Sequence, residues 1–154
     1  FVMMGVIRDK PYWDSIKQEI ASNGLQKYFV EIYPKSKSEI PSLVGACDVG
    51  LITHTRGSYI CEVAVPTKLF EYMASGLAVV CSNLKHITQF VVPYKAGLEF
   101  EANNPASLAK ALEKLAVTTG LAKKMGANSR KAVEERFNWG VEMTKLASAY
   151  KTVL

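Results

Sequence analysis

The feature that most constrains this chain is the alternation of short strand-like runs with segments of helical period. "FVMMGVI" (1–7) is apolar without alternation and reads as a fully buried strand. "KYFVEIY" (27–33), "DVGLIT" (48–53), "LAVVCS" (77–82) and "GLEFE" (97–101) read as further strands. Between the first two lies a predicted helix over 11–24, with Pro11 in its first turn, Tyr12, Ile16 and Ile20 at spacing four, and Gly24 as its stop. Helices are also predicted over 38–47, led by Ser38, over 66–76 and over 84–92. From Pro105 the chain reads as helical, interrupted at Gly120, at Gly126 and at "FNWG" (137–140). Parallel strands need a crossover, usually a helix, to bring the chain back, so this order predicts an α/β fold built on a doubly wound parallel sheet with C-terminal helices. The sequence has no internal repeat and no low-complexity tract.

A chain of 154 residues is expected to be one domain and to bury roughly 70% of its unfolded surface. The balance of 49% hydrophobic and 21% charged residues excludes a disordered chain. The longest apolar run is too short to cross a bilayer and is followed at once by Arg8, Asp9 and Lys10. Because the sequence opens at Phe1 inside that run, it is read as a piece of something longer. The charge of +5 is modest and the 19 Lys and Arg are dispersed, which argues against a nucleic-acid surface and suits an anionic small ligand. Three cysteines, Cys47, Cys61 and Cys81, are odd in number and lack short spacings, so free thiols in a reducing compartment are expected, with no disulfide framework and no zinc site. His54 and His86 have no Cys, His or Asp at ligand spacing and are expected to be solvent-facing loop and helix residues.

In a doubly wound sheet, ligands bind beyond the carboxyl ends of the strands. Arg8–Lys10, Tyr33–Ser38 and the long connection His54–Val65 should line that crevice, and a twelve-residue connection there is more often functional than idle. The helix predicted over 66–76 begins directly after it. Leu69, Phe70, Met73 and Ala74 fall on one face, and Lys68, Glu71, Tyr72 and Ser75 on the other. With Pro66 preset for the first turn, the backbone N–H groups of Thr67, Lys68 and Leu69 are expected to be free at the positive end of the helix dipole, where Lys68 adds a full charge. A phosphate or diphosphate suits that position. Glu71 would then reach past it to a vicinal diol, because a carboxylate offers two acceptor oxygens and no donor. Phosphate and ribose together make a nucleotide. The alternative for Lys68 and Glu71, three apart on one face, is a solvated ion pair worth about 0.2–0.5 kcal/mol.

"PTKLFEYMASGLAVVCS" resembles the signature segment in the C-terminal domain of GT-B glycosyltransferases, in particular the large retaining group 1, or GT4-like, family. "SEIPSLVGACDVGLITHT" is similar to the helix and strand before it, "AGLEFEANNPASLAKALEKLA" to the strand and helix after it, and "SRKAVEERFNWGVEMTKLASAYKTVL" to the terminal helices. The resemblance covers nearly the whole chain. It implies a Rossmann-like fold over residues 1–154 in which Glu71 binds the donor ribose, Lys68 and the amides of Thr67 and Leu69 sit by the diphosphate, and Tyr33, Lys35, Ser36 and Lys37 line the base. The family often carries another glutamate eight residues before the ribose-binding one. Here Val63 holds that place, and Glu62 beside it is the substitute for touching the donor sugar. Gln89 stands where the family often has Glu, and the Arg and Lys that commonly clamp the diphosphate belong upstream of Phe1.

The reading that follows is the donor-binding half of a sugar-nucleotide glycosyltransferase. Its partners are a nucleoside-diphosphate sugar (a UDP or GDP sugar) and an N-terminal acceptor domain outside this sequence, with no nucleic acid. A cytoplasmic location, with peripheral association at the inner face of the membrane, accompanies it. No cofactor and no metal are expected, since Lys68 and the helix amides would stabilise the leaving diphosphate. A sugar-nucleotide epimerase or phosphorylase on the same scaffold, and a non-catalytic Rossmann-like binding module, are the alternatives. In the related enzymes the last helix crosses back to the N-terminal domain. Its apolar stripe, Met143, Ala147, Tyr150 and Leu154, should therefore fray or pack elsewhere when that domain is missing.

Overall fold

All the strands of the described residues pair in parallel, as the helical crossovers require. The structure, a computed structural model, describes residues 1–34, 36–57 and 59–153. Its contacts divide the chain into two units, Phe1–Ile40 and Pro41–Leu154.

In the first unit β1 (Val2–Met4) pairs with β2 (Val30–Ile32), Val2 opposite Val30 and Met4 opposite Ile32. The helix α1 (Lys10–Ser22) connects them. It starts where Asp9 accepts the Tyr12 N–H at 3.0 Å, and Pro11 lies in its first turn. It ends at Asn23, before Gly24 turns at φ 67°. Trp13 is buried against Phe29 (ring centroids 5.8 Å apart), which stacks on Phe1 at 5.5 Å. The strand is shorter and more open than "FVMMGVI" suggests: Gly5, at φ 144°, ends it after Met4, and Val2 and Val30 stay 42% and 50% exposed. Within this unit one helix is too little to cover both faces of a strand pair. Beyond β2, a 3₁₀ turn (Lys37–Glu39) runs into the short helix α2 (Ile40–Gly45), where a single helix was expected.

The second unit holds β3 (Val49–Ile52), β4 (Ala78–Ser82) and β5 (Gly97–Phe100), in that order. All five residues of β4 are fully buried. The β3–β4 connection contains α3 (Tyr59–Val63), a helix that the sequence reading took for loop, and then α4 (Thr67–Ala74). On one face, Ile52, Val79 and Cys81 pack with Leu69 and Met73 of α4 and with Ile87 and Val91 of α5 (Lys85–Val91). On the other, Ala78, Val80 and Phe100 pack with Ala111 and Leu115 of α6 (Pro105–Val117). Helices on both faces are the doubly wound arrangement that the alternation predicts. The three cysteines are free, and burial pushes the Cys81 thiol from its ordinary 9.0 up to about 12, so it stays protonated and inert at neutral pH.

The helix α7 (Leu121–Glu135) seals this unit. Ser129, fully buried, donates to the Ala96 carbonyl at 3.0 Å, and Arg130 donates to the Ala74 carbonyl at the end of α4. Gly126 lies so close to the turn after α4 that a Cβ there would strike the Gly76 carbonyl. Asn138 then ends α7 by donating to the carbonyls of Val133 and Glu134, and caps α8 (Trp139–Val153) by accepting the Val141 N–H at 3.0 Å. Phe137 fills the gap among Phe70, Phe90 and Tyr94, with centroids 5.0 to 5.8 Å away. The last segment, expected to fray or to pack elsewhere, forms α8 as a helix to Val153. Of its apolar stripe, Met143, Ala147 and Tyr150 face solvent, and Leu154 lies outside the described residues.

Gly126→Ala forces α7 away from the Gly76 turn, and should lower the unfolding free energy by about 1–3 kcal/mol in a denaturant titration. An unchanged midpoint would mean that α7 does not rest on that turn.

Candidate functional site

The helix α4 places its side chains by its period, with two corrections to the sequence reading. Leu69 and Met73 are completely buried, while Thr67, Lys68 and Glu71 are exposed. Tyr72, expected on the polar face, turns inward: its ring lies over Gly50 of β3, at a place any β-carbon would fill, and burial raises its hydroxyl pKa. Pro66, expected in the first turn, is the N-cap with extended backbone. Its carbonyl accepts the Leu69 N–H at 3.0 Å, so that amide, expected to be free, is already committed. The amides of Thr67 and Lys68 have no partner among the described residues. The ion-pair alternative does not form either, for neither Lys68 nor Glu71 is in a salt bridge or side-chain hydrogen bond there. A cation, two open amides and a carboxylate one turn on thus face solvent at the positive end of α4.

Ahead of α4, the long connection is tied to the sheet by β4. The buried Ser82 hydroxyl donates to the His54 carbonyl at 2.6 Å and lies 3.3 Å from the Ile52 carbonyl. Arg56 donates its backbone N–H to Asn103 at 3.1 Å and reaches Asn83 with its guanidinium at 3.4 Å. Glu62 folds back to accept the Gly57 N–H at 2.8 Å, and Val63 is 53% exposed. These pieces border an open cleft of about 560 Å³, lined by Arg56, Glu62, Asn83, Lys85, His86 and Gln89, with Leu84 as its apolar wall. Of the expected site residues Glu62 lines this cleft, and Lys68 and Glu71 do not.

The histidines depart from the expectation of solvent-facing residues. His54 and His86 are half-buried with ring centroids 6.4 Å apart, and the buried His86 Nε2 has no hydrogen-bond partner among the described residues. Their separation of 32 positions hid this from any local pattern. Tyr33, Ser36 and Lys37 belong to the first unit and are exposed, and Lys35 lies outside the described residues. Tyr33 donates to Glu31, and that hydrogen bond raises the phenol pKa. Ser36 is 2.6 Å from the Ser38 hydroxyl. Arg8 and Asp9 border a separate cavity of about 220 Å³ between β1 and α1. No group of three or more His, Cys, Asp or Glu among the described residues is placed to hold a metal ion.

The sequence profile of the glycosyl transferases group 1 family matches residues 1–132, most of the chain. The chain belongs to this family. A curated relative is the chitobiosyldiphosphodolichol beta-mannosyltransferase of Kluyveromyces lactis, 28% identical over 90 residues, which are 58% of this chain and 20% of that protein. Among solved structures, Anabaena HepE in complex with UDP has a TM-score of 0.83 at 18% identity over 98% of this chain and 40% of its own. The C-terminal domain of a group 1 family glycosyl transferase from Francisella tularensis has a TM-score of 0.71 at 23% identity, over 87% of this chain and 66% of its own. These likenesses establish the Rossmann-like GT-B fold. The group 1 chain spans one fifth of the curated relative and under two thirds of these structures.

Ser82→Ala leaves the His54 carbonyl without its buried donor. It should cost roughly 1–3 kcal/mol of stability and speed amide exchange at residues 53–57. Protection equal to wild type would show that β4 does not hold the connection.

Proposed function

We propose that this group 1 chain is the donor-binding part of a sugar-nucleotide glycosyltransferase, with residues 1–154 acting as one domain. The observation that carries the proposal is the pair Lys68 and Glu71, exposed on α4 and unpaired with each other beside two open amides. Each is open to a ligand, a diphosphate at Lys68 and a ribose diol at Glu71. The fold relative HepE has been solved with UDP and with UDP-glucose, which favours a uridine nucleotide as the first to try. The family resemblance alone carries Tyr33, Lys35, Ser36 and Lys37 as base contacts.

In the reaction, the bond between the sugar's anomeric carbon and the diphosphate oxygen breaks, and the oxygen of an acceptor hydroxyl takes its place, its proton passing to the departing diphosphate. The diphosphate leaves with the bonding pair. Lys68 and the Thr67 and Lys68 amides face the charge that develops on it, and the amides, held by the first turn of α4, need no reorganisation. That charge stabilisation requires no metal. Glu62 supplies a carboxylate for the donor sugar. The acceptor is held by an N-terminal domain outside this sequence. Three unpaired cysteines support the cytoplasm as the location, and no helix of the described residues is long and apolar enough to cross a membrane.

Calorimetric titration with UDP, GDP and ADP tests the reading, and failure of all three to bind would end it. Glu71→Gln should weaken the bound nucleotide about tenfold and leave pyrophosphate unchanged, because only the ribose contact goes. Equal losses for both ligands would contradict the ribose role. Lys68→Ala should weaken diphosphates about tenfold more than the free nucleoside, with the difference shrinking as salt is raised. Diphosphate affinity equal to wild type would return Lys68 to the surface.

A further inference from the structure

The cleft beside α3 and α5 carries chemistry that nucleotide binding leaves unused. Arg56 and Lys85 are exposed cations, and neither enters an ion pair among the described residues even though Glu62 lines the same walls. The side-chain oxygen of Asn83 already accepts the Ala102 N–H at 3.0 Å, so its amide nitrogen is what remains for a ligand. Gln89 is the converse case. Its nitrogen donates to the His86 carbonyl at 3.1 Å, which leaves its oxygen as an acceptor. One oxygen of Glu62 takes the Gly57 N–H, and the other has no partner among the described residues. The His86 ring lines the same cleft, and its Nε2, buried behind the cleft wall, has no hydrogen-bond partner among the described residues. Leu84 closes the floor of the cleft and is itself all but buried, 5% exposed.

Two cations and an amide donor match the oxygens of an anion. A carboxylate and an amide oxygen match the hydroxyl groups of a sugar ring. We propose that this cleft binds an acidic sugar unit, a ring bearing a carboxylate or a phosphate, as the sugar-side partner of the transfer. A neutral sugar leaves Arg56 and Lys85 unmatched. A bare anion leaves Gln89 unused and meets a like charge at Glu62. Its part in a transfer rests on the glycosyltransferase reading, whereas affinity of the cleft for an acidic sugar does not.

The test is titration of the protein with glucuronate, glucose 6-phosphate, glucose and inorganic phosphate, followed by the NMR signals of the His86 ring. At least one acidic sugar should bind about tenfold more tightly than glucose or inorganic phosphate and shift that ring. The first two arms tell a carboxylate from a phosphate. Lys85→Glu, at a side chain with no hydrogen bond or ion pair among the described residues, should weaken the acidic sugar at least about tenfold, as should Arg56→Gln. No binding, equal binding of glucose, equal binding of inorganic phosphate, or affinity unmoved by both substitutions would each overturn the proposal. UDP titrated into the same samples separates the two readings. Acidic-sugar binding without UDP binding sinks the nucleotide site alone, and the reverse sinks only this cleft.

Discussion

The burial of β4 on both faces and its pairing on both edges is the constraint on which the second unit depends. A strand with no solvent contact must hand every polar group at its end to a protein partner, because an unsatisfied buried group costs on the order of 1–3 kcal/mol. Ser82 answers by bonding the carbonyls at the end of β3 and the start of the long connection. Asn83, one residue on, gathers the Ala102 amide and the Arg56 guanidinium. The loops around the cleft are therefore consequences of finishing one buried strand. Their geometry is set by the same bonds that close the core.

The helix α4 divides labour along its length in a comparable way. Its buried side chains hold the sheet, and Tyr72 joins them because Gly50 leaves a hollow that the ring fills. Lys68 and Glu71 contribute nothing to that packing. The close approach of α7 at Gly76 and Gly126 fixes the far end of the helix, so its first turn and its exposed face are held in place by contacts well away from them.

Much of this could be read in the sequence. Alternation of strand runs and helical period gave the doubly wound order, and the period of 66–76 separated Leu69 and Met73 from Lys68 and Glu71 correctly, because both depend on local spacing. What failed depends on neighbours distant in sequence. The place of Tyr72 follows from a glycine 22 positions earlier, and the pairing of His54 with His86 from the parallel register of β3 and β4. The helix α3 was missed because five residues within a long connection present no period to count. Leu69's amide was taken as free because Pro66 was read one position too far into the helix, and such boundaries are the least certain part of any sequence reading.

That short helix has one further consequence. Tyr59, Ile60 and Val63 are 80%, 72% and 53% exposed, and the segment is tied down by the Glu62 contact to Gly57 and by the approach of His54 to the Cys61 carbonyl. Exchanging an exposed side chain that supports no core shifts stability by only about half a kcal/mol either way. Of α3 only Glu62 lines the cleft, so Tyr59, Ile60 and Val63 can change over evolutionary time without disturbing either the core or the cleft wall. Sequence drift would collect at these three positions, whereas β4 and the two apposed glycines would be held nearly fixed.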